Sequence, residues 1–109
     1  MPLTPKELRD KILKHVAVEE SSTTSWEGNA ELEDYHSSRM LEAKELLEEI
    51  NLGIDMNEAR DKVVCHIKTE SAAMEKWKDN PIICNDHKAR CMMAQEILTM
   101  IDSGGANSL

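Results

Sequence analysis

The sequence has no phenylalanine and very few other aromatic residues. Trp26, Trp77 and Tyr35 make up the whole 3% of aromatic residues in a chain of 109. Any core must therefore be built from Leu, Ile, Val, Ala and the seven methionines, whose flexible side chains fill irregular gaps. Because 40% of the residues are hydrophobic, one core can still form, and the length suits a single domain.

The sequence also lacks the features of secreted and membrane proteins. Three cysteines, an odd number, do not form a disulfide framework. The first residues contain no apolar segment of the kind found in signal peptides. No apolar run approaches the roughly 20 residues that span a bilayer. Together these absences predict a cytoplasmic protein with reduced thiols.

Basic residues are scarce in one long stretch of the chain. The net charge is −8, and the segment 27–62 holds eleven acidic residues against four basic ones. Such a surface repels phosphate groups, so we expect neither nucleic acid nor an anionic membrane as a partner. A protein with a basic surface is the better match. An ordinary solvated helical face is the alternative interpretation of the same charges.

Helix signals dominate the beginning of the chain. Thr4, Pro5 and Glu7 form a capping box with proline at the first helical position, and the apolar spacing that follows predicts a helix over about 5–18. The hydroxyl-rich segment 19–30 is predicted to be a loop. Trp26 lies in that segment, and we expect it to fold back onto the core, with an exposed partner anchor as the alternative.

Three further helices follow from capping residues and apolar periodicity. Asn29, Asp55 and Asn85 are the predicted N-caps of helices over about 29–52, 56–79 and 85–102. Residues 1–102 then form a single helical domain, and 103–109 form a flexible tail. We found no strand-like alternation of any length.

The predicted fold class is therefore all-α. The short link between the second and third helices favours a long antiparallel helical hairpin, with the two shorter helices flanking it as a small bundle. Because long hairpins with short outer helices often complete their core by dimerising, we expect a homo-oligomer.

A cysteine–histidine cluster is one candidate for chemistry. Cys84, His87 and Cys91 follow a C-x₂-H-x₃-C spacing, and His66 on the preceding helix can supply a fourth ligand. Zinc binds four sulfur or nitrogen ligands in a tetrahedron. The sequence thus allows a small zinc-stabilised helical module, although buried thiols with a surface histidine explain the same residues and are the preferred interpretation.

A carboxylate pattern is the second candidate. Glu45-x-x-Glu48 followed by Glu58-x-x-Asp61 resembles the pattern of the all-α nucleotide pyrophosphohydrolases of the MazG type, over 17 residues. The resemblance implies a Mg²⁺-dependent enzyme in which these four carboxylates hold the metal against a nucleoside triphosphate. Few basic or aromatic residues accompany the pattern to hold the phosphates and the base, so this is the second choice.

The preferred hypothesis is a protein that acts by protein–protein contact, as a regulator, adaptor or inhibitor of a larger machine. Small acidic proteins of phages and other mobile elements often have this character. The partner-binding candidates are Glu42, Glu45, Glu49 and Trp26. Catalysis is unsupported rather than excluded, and we expect no cofactor.

Overall fold

The computed structural model describes residues 3–104, and nearly all of this segment is helical. The four helices are α1 Pro5–Ser25, α2 Ala30–Glu49, α3 Met56–Lys76 and α4 Pro81–Asp102. This confirms the all-α class. The rest of the predicted C-terminal tail, residues 105–109, lies outside the described segment. Within residues 3–104, no helix combines the length and the apolar character needed to cross a bilayer.

Side-chain caps begin all four helices. Thr4 accepts a hydrogen bond from the backbone of Glu7, and the Glu7 side chain bonds back to the Thr4 backbone, which confirms the predicted capping box. Asn29 and Asp55 cap α2 and α3 as predicted. The predicted Asn85 cap was wrong, because Asn80 caps α4 and Pro81 takes its first position.

Helix α1 is longer than predicted, because the hydroxyl-rich segment continues it to Ser25. The hydroxyls of Thr23 and Thr24 donate to the carbonyls of Glu19 and Glu20, one helical turn back, and so do not compete with the helix. Trp26 ends the helix with 45% of its surface exposed and is not among the described side chains packed against the core, so the prediction that it folds back onto the core was wrong.

The helices pack in the spatial order α1, α2, α4, α3. Helix α2 lies between α1 and α4, and α3 packs against α4 while touching α2 only slightly. The predicted hairpin of α2 and α3 with short outer helices is not this arrangement. All four helices contain 20 to 22 residues, because α2 and α3 are shorter and α1 and α4 longer than predicted. The unequal helix lengths that suggested oligomerisation are therefore absent from residues 3–104.

The core contains aliphatic and methionine side chains, as the composition requires. Leu8 and Ile12 of α1 meet Leu46 of α2, and α4 provides Met93 and Ile97; all five are fully buried. Leu3, just before α1, is also buried against this cluster. The bundle is 40 × 30 × 22 Å, a compact body in which charged side chains also enter the interior.

Candidate functional site

Charged and polar residues continue the buried stripes of the helices. In α1 the stripe runs from Leu8 and Ile12 to His15 and Glu19, and all four are buried. In α2, Arg39 and Glu42 are buried on the same face as Ala43 and Leu46. Glu70 continues the stripe of α3. Because burying an isolated charge is very costly, each of these groups needs a partner inside the bundle.

One ionic cluster joins α1, α2 and α4. Arg39 donates from Nε to Oε1 of Glu19 at 2.8 Å and from Nη2 to Glu96. His36 Nδ1 lies 2.6 Å from the other oxygen of Glu19. We call this set of Glu19, His36, Arg39 and Glu96 the Arg39 cluster. It connects three helices through one guanidinium group, which matches the fork geometry of arginine.

His15 is buried beside the Arg39 cluster. Burial is the largest effect on His15 and lowers its pKa below the ordinary value of 6.5. The negative charges of Glu96 and Glu19 raise the pKa, and the positive charge of Arg39 lowers it further. The unfolded chain therefore binds a proton at His15 more readily than the folded chain. The resulting stability is fully present above pH 6.5 and decreases as the pH falls below that value.

This shift leads to a pH prediction. The part of the free energy of unfolding that depends on His15 should decrease from about pH 7.5 to about pH 5.5. The stability of the original chain should therefore fall relative to that of His15→Gln over this range, because glutamine does not titrate. Urea unfolding of both proteins at several pH values measures the difference. Parallel stability–pH curves would contradict it.

A second ionic cluster joins α2, α3 and α4. Arg90 Nε donates to Oε1 of Glu70 at 3.0 Å, while its Nη2 pairs with Glu45 and lies 3.2 Å from Oε1 of Glu42. His66 Nδ1 is 2.8 Å from Oε2 of Glu42. The members of this set, called the Arg90 cluster, are Glu42, Glu45, Glu49, His66, Glu70, His87 and Arg90.

Glu42 is the least satisfied member of the Arg90 cluster. It is fully buried, and its Oε1 accepts no hydrogen bond from any residue in the range 3–104. Nη2 of Arg90 forms an ion pair with this oxygen, but the geometry of the contact is not that of a hydrogen bond. Burial raises the pKa of Glu42, and the opposing effects of His66 and Arg90 do not cancel the rise. The protein cations nearby therefore do not fully compensate this carboxylate.

Three members of the Arg90 cluster come close enough to share a metal ion. Possible ligand atoms of Glu42, Glu45 and His66 all lie within 4.8 Å of one another. In the sequence these residues belonged to three separate hypotheses: partner binding, magnesium and zinc. The helix packing brings them together.

The structure does not assemble the cysteine–histidine set. Cys84 donates to the carbonyl of Met74 at 3.7 Å, and Cys91 lies 3.6 Å from the hydroxyl of Ser71. His66 and His87 instead contact carboxylates. Across residues 3–104, the Cys84, His87, Cys91 and His66 side chains form no common ligand group.

The predicted magnesium set is also dispersed. Glu45 belongs to the Arg90 cluster, while Glu48, Glu58 and Asp61 are exposed. No ligand group within the described residues includes these last three. The short link between α2 and α3 does not bring their carboxylates together, because α3 packs mainly against α4.

The predicted acidic partner face needs a correction. Glu42 is not on the surface of the bundle, because its side chain is fully buried. Glu45 and Glu49 are about half exposed, with side-chain exposures of 50% and 42%, and pair with Arg90 and His66. These three residues bind other parts of the bundle. Trp26 remains the exposed apolar member of the predicted set.

A groove lies between the N-terminal parts of α2 and α4. Its volume is about 770 Å³. The apolar lining comprises Ala30, Leu32, Tyr35, Pro81, Ile82 and Met92. The polar lining comprises Glu31, Asp34, Asn85, Asp86 and Lys88. Ile82 is 71% exposed, which is the highest exposure among the large apolar residues described. The groove thus combines six apolar lining residues with three acidic side chains, one asparagine and one lysine.

Sequence reasoning missed the two ionic clusters and the groove. The sequence contains a signal for the clusters. His15 and Glu19 follow Leu8 and Ile12 at helical spacing, and this pattern indicates charged residues on the buried face of the helix. The groove had no local signal, because its two walls are 50 residues apart in sequence. Comparisons with protein-family models, curated proteins and solved structures give no significant match to this chain.

Proposed function

We propose that the protein functions by binding another protein, which places a basic amphipathic segment in the groove between α2 and α4. The observation that carries the proposal is the groove lining, which combines apolar side chains with three acidic residues and one lysine. The binding role is that of a cytoplasmic regulator, adaptor or inhibitor, as the sequence suggested.

The apolar part of the lining supports the amphipathic character of the proposed segment. Ile82, Met92 and Leu32 present aliphatic side chains, and Met92 adapts its shape easily to a ligand. Tyr35 adds a ring whose hydroxyl lies 4.0 Å from the Met92 sulfur. Amphipathic helices bind grooves of this kind through apolar residues spaced one turn apart. Burial of Ile82 by a partner would remove apolar surface from water, which favours binding.

The acidic part of the lining supports the basic character of the proposed segment. Glu31, Asp34 and Asp86 line the groove against the single cation Lys88. The whole chain carries a net charge of −8, so the long-range field also attracts cationic segments. Complementary charge increases the association rate and selects partners. A basic segment is therefore favoured over an acidic or neutral one.

A homo-oligomer stays a prediction within this proposal. A second copy of the chain is also acidic and is thus a poor match for the groove. Self-association, where it occurs, would use another surface, for instance one that contains Trp26 or Leu52, both of which are exposed.

A designed model peptide tests whether the groove binds basic amphipathic segments. An amphipathic helical peptide of leucine and lysine should bind and shift the methyl signals of Leu32, Ile82 and Met92 in NMR spectra. The same peptide with glutamate in place of lysine should bind far more weakly, because its charge is repelled.

Two substitutions make the test specific to the groove. Ile82→Asp should abolish the shifts, and it leaves the fold intact because an acid near a helix N-terminus is favourable. Leu52→Asp is the matched control, since Leu52 is 67% exposed and lies in the turn after α2. Equal binding by both variants, or shifts outside the groove, would reject the proposal.

A further inference from the structure

The Arg90 cluster has a surplus of negative charge. It contains four carboxylates and one permanent cation, Arg90. Glu42, Glu45 and Glu70 pair with Arg90, and Glu49 pairs with His66. His66 and His87 can add charge only when they are protonated. A buried site with more acid than base favours either bound protons or a bound cation.

His66 shows where a cation fits. Its Nδ1 faces Glu42 Oε2 at 2.8 Å, and its Nε2 contacts Glu49. A neutral imidazole has one N–H, so it can donate to only one of these two carboxylates. If the N–H is on Nε2 and points to Glu49, the lone pair of Nδ1 faces a second acceptor. Either protonation of the ring or a metal ion between Nδ1 and Glu42 removes this conflict.

We propose that Glu42, Glu45 and His66 form a binding site for a divalent transition-metal ion, with Zn²⁺ as the best match. One observation supports the site independently of its acidic character. Glu42 is fully buried, and its Oε1 lacks a hydrogen bond among residues 3–104. Imidazole and carboxylate ligands together suit zinc better than magnesium, which prefers oxygen and retains its water.

The neighbouring residues complete the site. With its N–H on Nε2, His66 would donate to Glu49, and this bond would hold the ring in the orientation that leaves Nδ1 for the metal, a common arrangement around zinc. Arg90 reaches Glu42 and Glu45 through its terminal Nη2, while its Nε is bound separately to Glu70 at 3.0 Å. The terminal nitrogen can therefore move away from the metal without loss of the bond to Glu70. The metal site and the groove share no residue, so each proposal can fail alone.

Zinc binding should be visible in two measurements on the full chain. After treatment with chelator and dialysis, titration with ZnCl₂ should give about one bound ion per chain by calorimetry. Saturating zinc should raise the melting temperature by roughly 10 °C, whereas MgCl₂ should leave it unchanged. Absence of zinc binding would overturn the proposal and leave the cluster as an internal network of ion pairs.

Variants identify the ligands. His66→Gln and Glu45→Gln should each weaken zinc binding at least tenfold. His36→Gln is the matched control, because His36 forms a similar histidine–glutamate pair in the Arg39 cluster. Circular dichroism checks that each variant folds. Should His66→Gln fail to fold, Glu45→Gln still decides, because the Glu45 side chain is 50% exposed. Retained zinc binding in Glu45→Gln would contradict the proposal.

Two further measurements test whether zinc binds to the cysteines instead of the proposed site. Cobalt(II) in the proposed site should show no thiolate charge-transfer band, because all three ligands are nitrogen or oxygen. The double variant Cys84→Ser/Cys91→Ser should bind zinc as tightly as the original chain. A thiolate band, or loss of zinc in that double variant, would assign the metal to the cysteines and reject the Glu42, Glu45 and His66 site.

Discussion

Replacement of Arg39 by alanine is expected to lower the free energy of unfolding by about 3–5 kcal/mol. Arg39 is 7% exposed, and its guanidinium holds Glu19, which is also buried, and Glu96 on another helix. Its removal leaves the Glu19 carboxylate buried, with His36 as its remaining partner in the cluster. The loss would be a large part of the roughly 5–15 kcal/mol that stabilises a small domain.

The matched control is Arg60→Ala. Arg60 also makes a bond between helices, through Nε to Asp102 at 2.8 Å, but both side chains are exposed to about half. Ion pairs in water contribute little to stability, so the melting temperature of this variant should barely change. Denaturant unfolding of the two variants separates the effects. Equal destabilisation would show that burial of the Arg39 cluster is unimportant.

Truncation of Ile97 to alanine is expected to cost about 2–5 kcal/mol. Ile97 is fully buried on α4, the helix that packs against both α2 and α3. Close-packed interiors relax only partly around a deleted side chain, so part of the cavity should stay unfilled. Thermal and urea unfolding measure the change.

Leu13→Ala provides the comparison for this truncation. Leu13 lies in the middle of α1 and is 49% exposed, so it loses less buried surface than Ile97. We expect a clearly smaller effect, since alanine also favours the helix. A loss at Leu13 as large as that at Ile97 would contradict the placement of the core.

The helical fold could be predicted from local signals. Three of the predicted caps are present in the structure, those of Thr4, Asn29 and Asp55. Each side-chain oxygen accepts a hydrogen bond from the backbone N–H three residues later, and this local bond does not depend on the tertiary structure. The apolar spacing that predicted α4 is also a local signal, and Met93 and Ile97, four residues apart in this helix, are both in the core. The predicted start of α4 was wrong because Asn80 and Asn85 are both good caps, and Pro81 favours the first of them.

The helix order could not be obtained in this way. Sequence proximity suggested that α2 pairs with α3, whereas α2 packs against α1 and α4. The packing order depends on which helix faces are complementary, and the buried charged residues determine part of this complementarity. Arg39 links α2 to α1 and α4, while Arg90 links α4 to α2 and α3.

The candidate sites depend on this order and were therefore only partly predictable. Glu45 and His66 were recognised as possible ligands, but each was assigned to a different metal. Glu42 was assigned to the surface because acids on helices usually face solvent. Its burial follows from the position of α4, which supplies Arg90 beside it.

The most direct test of the proposed function compares the affinities of two double variants for the leucine–lysine peptide. One variant loses acidic residues of the groove lining, and the other loses acidic residues outside the groove. Glu31→Gln/Asp34→Asn removes two acids of the lining. Glu58→Gln/Asp61→Asn removes an exposed pair with the same spacing on α3. Calorimetry measures the affinity of each variant at low salt and at about 1 M salt. At the higher concentration the Debye length is about 3 Å, so charge attraction is screened. We predict several-fold weaker, less salt-dependent binding for the first variant and unchanged binding for the second; equal affinities would contradict the account.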